Sequence, residues 1–332
     1  MNPRGGTASG SSVRPAMLAM LLCAAVLVST LAALGIGSHA LAPGDLWAAL
    51  LGEPGLARDI VQQVRWPRAA AALACGALLS LAGVLLQVLL RNPLADPYVL
   101  GISGGAALGV LLAMLTGLTA WLLPLTGFAG AFTAAVIVFA LGYRAGDWNL
   151  YRLLLTGVVL AAGCGAAVSL ILVLAPGAAV KGMLFWLMGD LSGARSSWPA
   201  WTVALVLGGL ATAMGSTLNV LALGRQQAAV LGVPVTAAET AIYAAAALAT
   251  VSAVILGGTI GFVGLIVPHL VRLLGVADLR WLVPLSMLAG AAFLCLADTL
   301  ARSLVAPLQL PVGVLTALLG VPAMLVLLGR RP

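Results

Sequence analysis

Long apolar segments alternate with short polar ones along the whole chain. Most of the apolar segments approach 20 residues, about the length that crosses a hydrocarbon layer of about 30 Å as an α-helix. We therefore expect an all-α, polytopic membrane protein with about ten transmembrane helices. The predicted spans are residues 16–36, 66–90, 102–123, 127–141, 150–174, 198–215, 237–256, 260–274, 282–304 and 312–328.

The polar segments divide the rest of the chain. Residues 1–15 are rich in Gly and Ser, which predicts a disordered N-terminus, and residues 16–332 are expected to form a single ten-helix domain. Between the sixth and seventh spans, residues 219–234 mix apolar and polar positions, with breaks at Gly224 and Gly232. This segment is too short to cross a membrane, so it predicts a surface hairpin of two small helices.

Composition agrees with a location in lipid. The 332 residues are 62% hydrophobic and 8% charged, whereas soluble domains are roughly 45–50% apolar. The net charge of +7 comes from arginines dispersed between apolar segments, with a single lysine at Lys181. This pattern is typical of membrane topology and predicts no nucleic-acid partner.

The positions of the basic residues also predict orientation. With the N-terminus inside, ten of the 16 basic residues fall on the cytoplasmic side, which favours cytoplasmic N- and C-termini. The basic residues on the other side then need a separate explanation. They are Arg58, Arg65, Arg68, Lys181, Arg195 and Arg302.

Candidate residues for enzyme chemistry are few. Lys181 follows Val180, so the chain has no Gly-x4-Gly-Lys-Ser/Thr loop to bind phosphate. The two histidines, His39 and His269, do not sit at metal-ligand spacing. We therefore predict no catalytic residue, no metal site and no bound cofactor on this chain.

Two patterns inside the spans predict helix contacts. Asp298 and Arg302 are four residues apart near the outer end of the ninth span, so they share one face of a helix, and the simplest interpretation is a structural ion pair. Gly101, Gly105 and Gly109 recur every four residues, which predicts close packing between helices in lipid.

Five motifs in order resemble the signatures of one family, the FecCD-type permeases. These are the membrane subunits of type II ABC importers for cobalamin, haem and ferric siderophores. The resemblance covers nearly everything from Gly37 to the C-terminus. The motifs are RWPR at 65–68, RNPLADP at 91–97 followed by LGISGGAALG, GFVGLIVPHLVR at 261–272, LADTLAR at 296–302 and LPVGVLTALLGVPAML from Leu310.

The resemblance implies an architecture and a set of partners. The permease subunit would dimerise around a central translocation path in the bacterial cytoplasmic (inner) membrane, surrounded by the lipid bilayer. ATP and Mg would bind to separate cytoplasmic ABC ATPase subunits, and a soluble periplasmic or surface-tethered binding protein would select the cargo. We expect a second copy of this chain in the dimer, with a sister permease as the open alternative, and transport by alternating access.

The resemblance also implies site residues at both membrane surfaces. Arg65, Arg68 and Arg302 match outward-facing arginines that receive acidic residues of the binding protein. Such electrostatic docking contributes orientation and association rate more than affinity.

At the cytoplasmic side the resemblance implies a gate. Asn92 and Leu94 match positions that narrow the cytoplasmic end of the path. Leu150 and Tyr151 stand where the cobalamin permease has small hydroxyl residues, so the gate is expected to be built differently here.

Residues 219–234 resemble the paired coupling helices that sit in a groove of the ATPase. Arg225 stands where family members often have an acidic residue, which puts one ATPase contact in question but not the role of the segment. The expected ATPase-contacting residues are Ala222, Leu223, Gly224, Arg225, Gln227, Ala228, Leu231 and Gly232.

We thus predict an importer permease for a metal chelate, either haem, a ferric siderophore or cobalamin, with the choice among them left open. An ion-coupled secondary transporter is the alternative, but it would need carboxylates deep in the spans, whereas Glu239 and Asp298 lie toward span ends. An intramembrane enzyme is a third possibility, for which no catalytic set can be nominated.

Overall fold

A computed structural model describes residues 15–37, 41–144, 147–194 and 196–329, except for the side chains of Leu50, Arg144, Asp147, Trp148 and Leu328. Residues 1–14 of the predicted disordered N-terminus and Arg195 therefore lie outside the described residues. The helices are α1 (Pro15–Gly35), α2 (Pro43–Leu50), α3 (Leu56–Asp59), α4 (Trp66–Leu89), α5 (Ile102–Leu115), α6 (Leu123–Gly142), α7 (Leu150–Leu174), α8 (Gly177–Leu187), α9 (Trp198–Ala213), α10 (Gly215–Leu223), α11 (Arg225–Val230), α12 (Val235–Gly257), α13 (Val263–Leu273), α14 (Leu279–Ser303) and α15 (Val312–Gly329).

Four short elements, two helical turns and two strands, lie between these helices in the described part of the chain. A π-helical turn, Ile60–Arg65, joins α3 to α4, and a 3-10 turn, Pro97–Leu100, precedes α5. Two strands of two residues, β1 (Tyr143–Arg144) and β2 (Asp147–Trp148), pair antiparallel between α6 and α7. They are too short to change the fold class, which is all-α as predicted.

The structure confirms a multi-pass helical membrane protein and shows that the count of ten spans is approximate. Each predicted span contains one helix, but the helices differ in length. Six are long and apolar enough to cross a membrane, namely α1, the continuous run Leu56–Leu89, α6, α7, α12 and α14. The pair α9 and α10 bends by 65° and makes a seventh if counted as one span, while α5, α8, α13 and the described apolar part of α15 (Val312–Leu327) are shorter.

Helix α4 is the centre of the molecule. In the continuous helical segment Leu56–Leu89, 94% of the residues in the most apolar 18-residue stretch are buried. The corresponding share is 22% in α1 and in α7. Helices α12, α13 and α14 pack around it, and small residues allow the close approach. A Cβ added to Gly76 would overlap the carbonyl of Gly290 on α14, and one added to Gly83 would overlap that of Gly264 on α13.

The four-residue glycine spacing at the start of α5 is confirmed as close helix packing at all three positions. A Cβ on Gly105 would overlap the carbonyl oxygen of Gly130, and one on Gly109 that of Thr126, so both glycines let α6 approach. Gly101 approaches α7 instead, since a Cβ there would lie 2.8 Å from the carbonyl oxygen of Gly157. Gly101 lies at the N-terminus of α5 with φ +71°, a conformation that glycine adopts without steric cost.

A side chain of the central helix compensates for the proline in α13. Pro268 has no backbone N–H, so the carbonyl of Gly264, four residues earlier, loses its helical donor. The Gln87 amide of α4 lies 3.5 Å from that carbonyl and donates to the carbonyl of Leu265 at 3.2 Å. Its oxygen accepts a hydrogen bond from Arg272. The backbone carbonyls left without a helical donor near Pro268 thus find a partner within the protein, as a lipid environment requires.

The two ends of the bundle carry different chemistry. The end where α4 begins holds Arg65, Arg68 and Arg302, and we call it the arginine end. The end where α4 finishes holds α10, α11 and the loop 90–97, and we call it the hairpin end. Since α4 has 24 residues, it separates the two ends by about 36 Å at the usual helical rise.

Candidate functional site

An ion pair is buried at the arginine end. Arg68 of α4 donates through Nε and Nη2 to the two carboxylate oxygens of Asp298 on α14, each at 2.9 Å, and through Nη1 to Gln309 Oε1 at 2.8 Å. Arg302 Nε lies 4.0 Å from the same carboxylate. The predicted pairing of Asp298 with Arg302 is therefore the weaker contact, and its principal partner is Arg68, 230 residues away in sequence.

The other two arginines hold the C-terminal end of α1. Arg65 Nη1 donates to the carbonyl oxygens of Leu34 and Gly35 at 2.6 and 2.8 Å, and Arg302 Nη2 donates to that of Ala33. The last carbonyls of a helix have no partner within it and carry partial negative charge. The two guanidinium groups therefore stabilise the end of α1 against α4 and α14.

The structure thus brings together all three arginines predicted to dock a binding protein, although they are far apart in sequence. The described residues of this cluster include three guanidinium groups and one carboxylate, so the cluster carries an excess of positive charge. Each arginine is at most 7% exposed. Direct contact with a partner's carboxylate would therefore require these internal bonds to be exchanged, and the docking role stays a prediction.

The hairpin end has the predicted pair of short helices. Gly224, with φ +127°, separates α10 from α11. Leu223, Val230 and Leu231 are between 62% and 87% exposed, which leaves a small apolar surface on the hairpin. Ala222, Gln227 and Gly232 are also exposed, whereas Ala228 is fully buried and so packs the hairpin onto the bundle.

Helix α10 is anchored to the start of α14. The Asn219 amide donates to Asp278 at 2.7 Å, and its oxygen accepts from the backbone N–H of Leu279 at 2.9 Å. Asp278 also accepts from the N–H of Arg280, and these hydrogen bonds, that of Asn219 first, lower the pKa of Asp278. Arg280 adds a hydrogen bond to Ser216 at 2.7 Å.

Helix α11 is anchored to α12 by a residue that sequence reasoning did not assign to a site. Arg225 Nε lies 3.4 Å from Glu239 Oε1, and Arg91 Nη2 lies 3.6 Å from the same oxygen. Arg225, which departs from the family pattern, thus forms an ion pair with a residue of its own chain. An acid in an otherwise apolar span, shortly after an unusual arginine, was the signal available in the sequence.

A cavity of about 700 Å³ opens beside this anchor. It lies between the end of α4, helix α10 and the beginning of α14. Polar side chains line part of it, among them Gln87, Arg91, Asn219, Arg272 and Asp278. Helix α10 of the hairpin therefore forms one wall of this cavity.

The predicted gate residues fall on two elements at the hairpin end. Asn92 and Leu94 are exposed in the loop after α4, where Asn92 Oδ1 accepts from the N–H of Leu94 at 2.9 Å. Leu150 and Tyr151 begin α7, and Tyr151 is exposed. Among the described residues, no hydrogen bond or ion pair joins the loop pair, Asn92 and Leu94, to the pair at the start of α7.

Comparison with known proteins identifies the family to which this architecture belongs. The model of the FecCD transport family matches residues 23–330. The hemin transport system permease protein HmuU of Yersinia pestis is 38% identical over 96% of this chain and 97% of its own. The vitamin B12 import system permease protein BtuC of Salmonella arizonae is 38% identical over 91% of each chain.

A solved structure agrees with these relatives. A chain described as a metal-chelate type ABC transporter in an inward-facing conformation superposes with a TM-score of 0.83. The two sequences are 30% identical, and the superposition covers 96% of this chain and 100% of the other. With its central buried helix, its proline-containing α13 and its surface hairpin, the fold is that of a type II ABC importer permease. The chain belongs to the FecCD transport family.

Proposed function

We propose that this permease moves a metal chelate into the bacterial cytoplasm, and that haem, cobalamin and a ferric siderophore are the candidate cargoes. The observation that carries the proposal is similarity along almost the entire length to permeases named for hemin and vitamin B12. The cargo would travel with its metal already complexed, so the path needs no metal ligands of its own.

Partner subunits supply energy and selection in this proposal. ATP and Mg bind to two ABC ATPase subunits, which contact the hairpin of α10 and α11 on the cytoplasmic side of the inner membrane. The exposed apolar side chains of Leu223, Val230 and Leu231 support that contact. A second copy of the chain would complete the path, with both termini of each copy in the cytoplasm.

The arginine end is the proposed docking site of a binding protein. Its excess of positive charge supports an acidic partner, and its distance from the hairpin, about 36 Å, suits the opposite membrane surface. Because Arg65, Arg68 and Arg302 are bonded internally, we expect an acidic group of the partner to take over part of the role of Asp298.

The proposed gate lies between the docking site and the cytoplasm. Asn92 and Leu94 follow α4, and Leu150 and Tyr151 begin α7, so both pairs lie at the hairpin end. Movement of the hairpin would change the separation of these pairs within the dimer and so open or close the cytoplasmic exit.

Uptake into vesicles tests the cargo. The permease, its ATPase and its binding protein would be reconstituted in proteoliposomes and supplied in turn with haemin, cyanocobalamin and a ferric siderophore. We expect ATP-dependent accumulation of one of the three, matched by binding of the same compound to the isolated binding protein. Accumulation of none of them, in vesicles where the ATPase is active, would contradict the proposed cargo class.

An ion-coupled mechanism is not favoured. Such a transporter binds its coupling ion with carboxylates inside the membrane. Among the described residues, Glu239 and Asp298 are the carboxylates exposed by 3% or less, and arginines engage both. The half-buried Asp96 caps a turn by accepting a hydrogen bond from the N–H of Tyr98.

A further inference from the structure

Glu239 holds two parts of the hairpin end together through one carboxylate. It lies near the N-terminus of α12 and is 2% exposed. Arg225, the first residue of α11, and Arg91, in the loop after α4, both approach its Oε1 atom, at 3.4 and 3.6 Å. The carboxylate therefore lies between the proposed ATPase-contacting helix and the segment that carries Asn92 and Leu94.

The backbone of Arg91 gives an independent reason to assign a role to this contact. Arg91 adopts φ +47°, a left-handed conformation at the position after a helix where glycine is preferred. A residue with a Cβ adopts that conformation only at a steric cost. Its side chain reaches the buried carboxylate from this position, so the unfavourable backbone is accompanied by a specific contact.

We propose that Glu239 is a positioning residue that couples the hairpin to the cytoplasmic gate. This inference rests on the proposed function and adds to it the residue that transmits the movement. Two arginines share one carboxylate, so α11 can move and weaken the contact of Arg225 while Arg91 still pairs with Glu239. The carboxylate then keeps an arginine beside it throughout the movement, and a buried charge left without a partner would be costly. Displacement of the hairpin is passed to residues 91–97 by this exchange.

A purely structural ion pair makes a different prediction. If Glu239 only fastens α11 to α12, its loss lowers thermal stability but leaves the response of the transporter to its binding protein intact. Coupling is therefore measured as the ratio of ATP hydrolysis with and without the binding protein in proteoliposomes that contain the ATPase. The midpoint of thermal unfolding is recorded for the same preparations.

The main variant is Glu239→Gln, which keeps the size of the side chain and removes its charge. We expect it to assemble with the ATPase and to retain basal hydrolysis, while stimulation by the binding protein falls about 5-fold or more, the lower range of coupling between linked sites. Arg91→Gln and Arg225→Gln should each reduce stimulation less than the double variant, because one arginine remains. Arg280→Gln is the matched control, since this arginine bonds to Ser216 at the same end.

Glu239→Asp covers the case in which Glu239→Gln does not assemble. The shorter side chain keeps the charge but cannot reach both arginines, so the fold should persist and stimulation should fall. If the binding protein stimulates ATP hydrolysis normally in either assembled variant, and also in the wild-type complex, the role of Glu239 is overturned while the proposed function stands. Absence of stimulation in the wild-type complex overturns the proposed function and the inference with it.

Discussion

Single buried side chains hold the arginine end together. Arg68 reaches Asp298 through two hydrogen bonds, and Arg65 and Arg302 bond to the last carbonyls of α1. Spacing along α14 predicted the contact of Asp298 with Arg302, because residues four apart on a helix are neighbours. No local rule could pair Asp298 with Arg68 on another helix, since that contact depends on tertiary packing.

Removing the charge of either member of the pair of Arg68 and Asp298 should destabilise the protein. Removing one member of a buried ion pair leaves an uncompensated charge and typically costs about 3–5 kcal/mol. We therefore expect Asp298→Asn to lower the midpoint of thermal unfolding of the purified protein markedly. In the double variant with Arg68→Gln, the midpoint of thermal unfolding should fall by less than the sum of the two single decreases. Lys181→Gln, a change at an exposed residue, serves as the control. Additive losses would show that the two side chains do not act as a pair.

At the scale of elements, small residues set how closely the helices approach. The spacing of Gly101, Gly105 and Gly109 predicts packing, but not the partner helices, which are α7 for Gly101 and α6 for the other two. The hairpin was predicted from breaks at Gly224 and Gly232, because short segments bounded by glycine have few alternatives. Its attachment through Glu239 was not predicted, because the contact joins separate segments.

A matched pair of glycine substitutions tests the packing of the central helix. Gly83→Ala places a Cβ against the Gly264 carbonyl, and overpacking of this kind costs about 1–3 kcal/mol or more. Gly163→Ala on α7 meets no atom within 4 Å, and replacing a helical glycine there should gain about 0.5–1 kcal/mol. Thermal unfolding of the two purified variants should thus shift in opposite directions. Equal shifts would contradict the close contact of α4 with α13.

A change on the exposed face of the hairpin tests its proposed contact with the ATPase. Leu231→Asp should weaken binding of the ATPase about tenfold or more, as expected for a central apolar residue of an interface. The control is Leu51→Asp, a change at a similarly exposed leucine outside the hairpin. Pull-down of the ATPase at graded concentrations measures both. If Leu231→Asp binds as tightly as the control, the ATPase does not use this surface.

For the whole molecule, the family and fold class followed from the sequence, whereas the number of full-length spans did not. Apolar composition and the order of five motifs determine a polytopic permease, and the family model over residues 23–330 agrees. Hydrophobicity alone does not separate a full span from a shorter buried helix, so the predicted spans 102–123 and 260–274 each contain a shorter helix, α5 or α13. The burial of the three predicted docking arginines also depended on tertiary contacts.

The energy source of transport tests the central claim most directly. Uptake of the cargo identified in vesicles would be measured with ATP, with a non-hydrolysable ATP analogue, and with an imposed ion gradient but no ATP. We predict accumulation with ATP alone, none with the analogue and none with the gradient. Uptake that persists without ATP and follows the ion gradient would contradict an ABC importer and identify a secondary transporter.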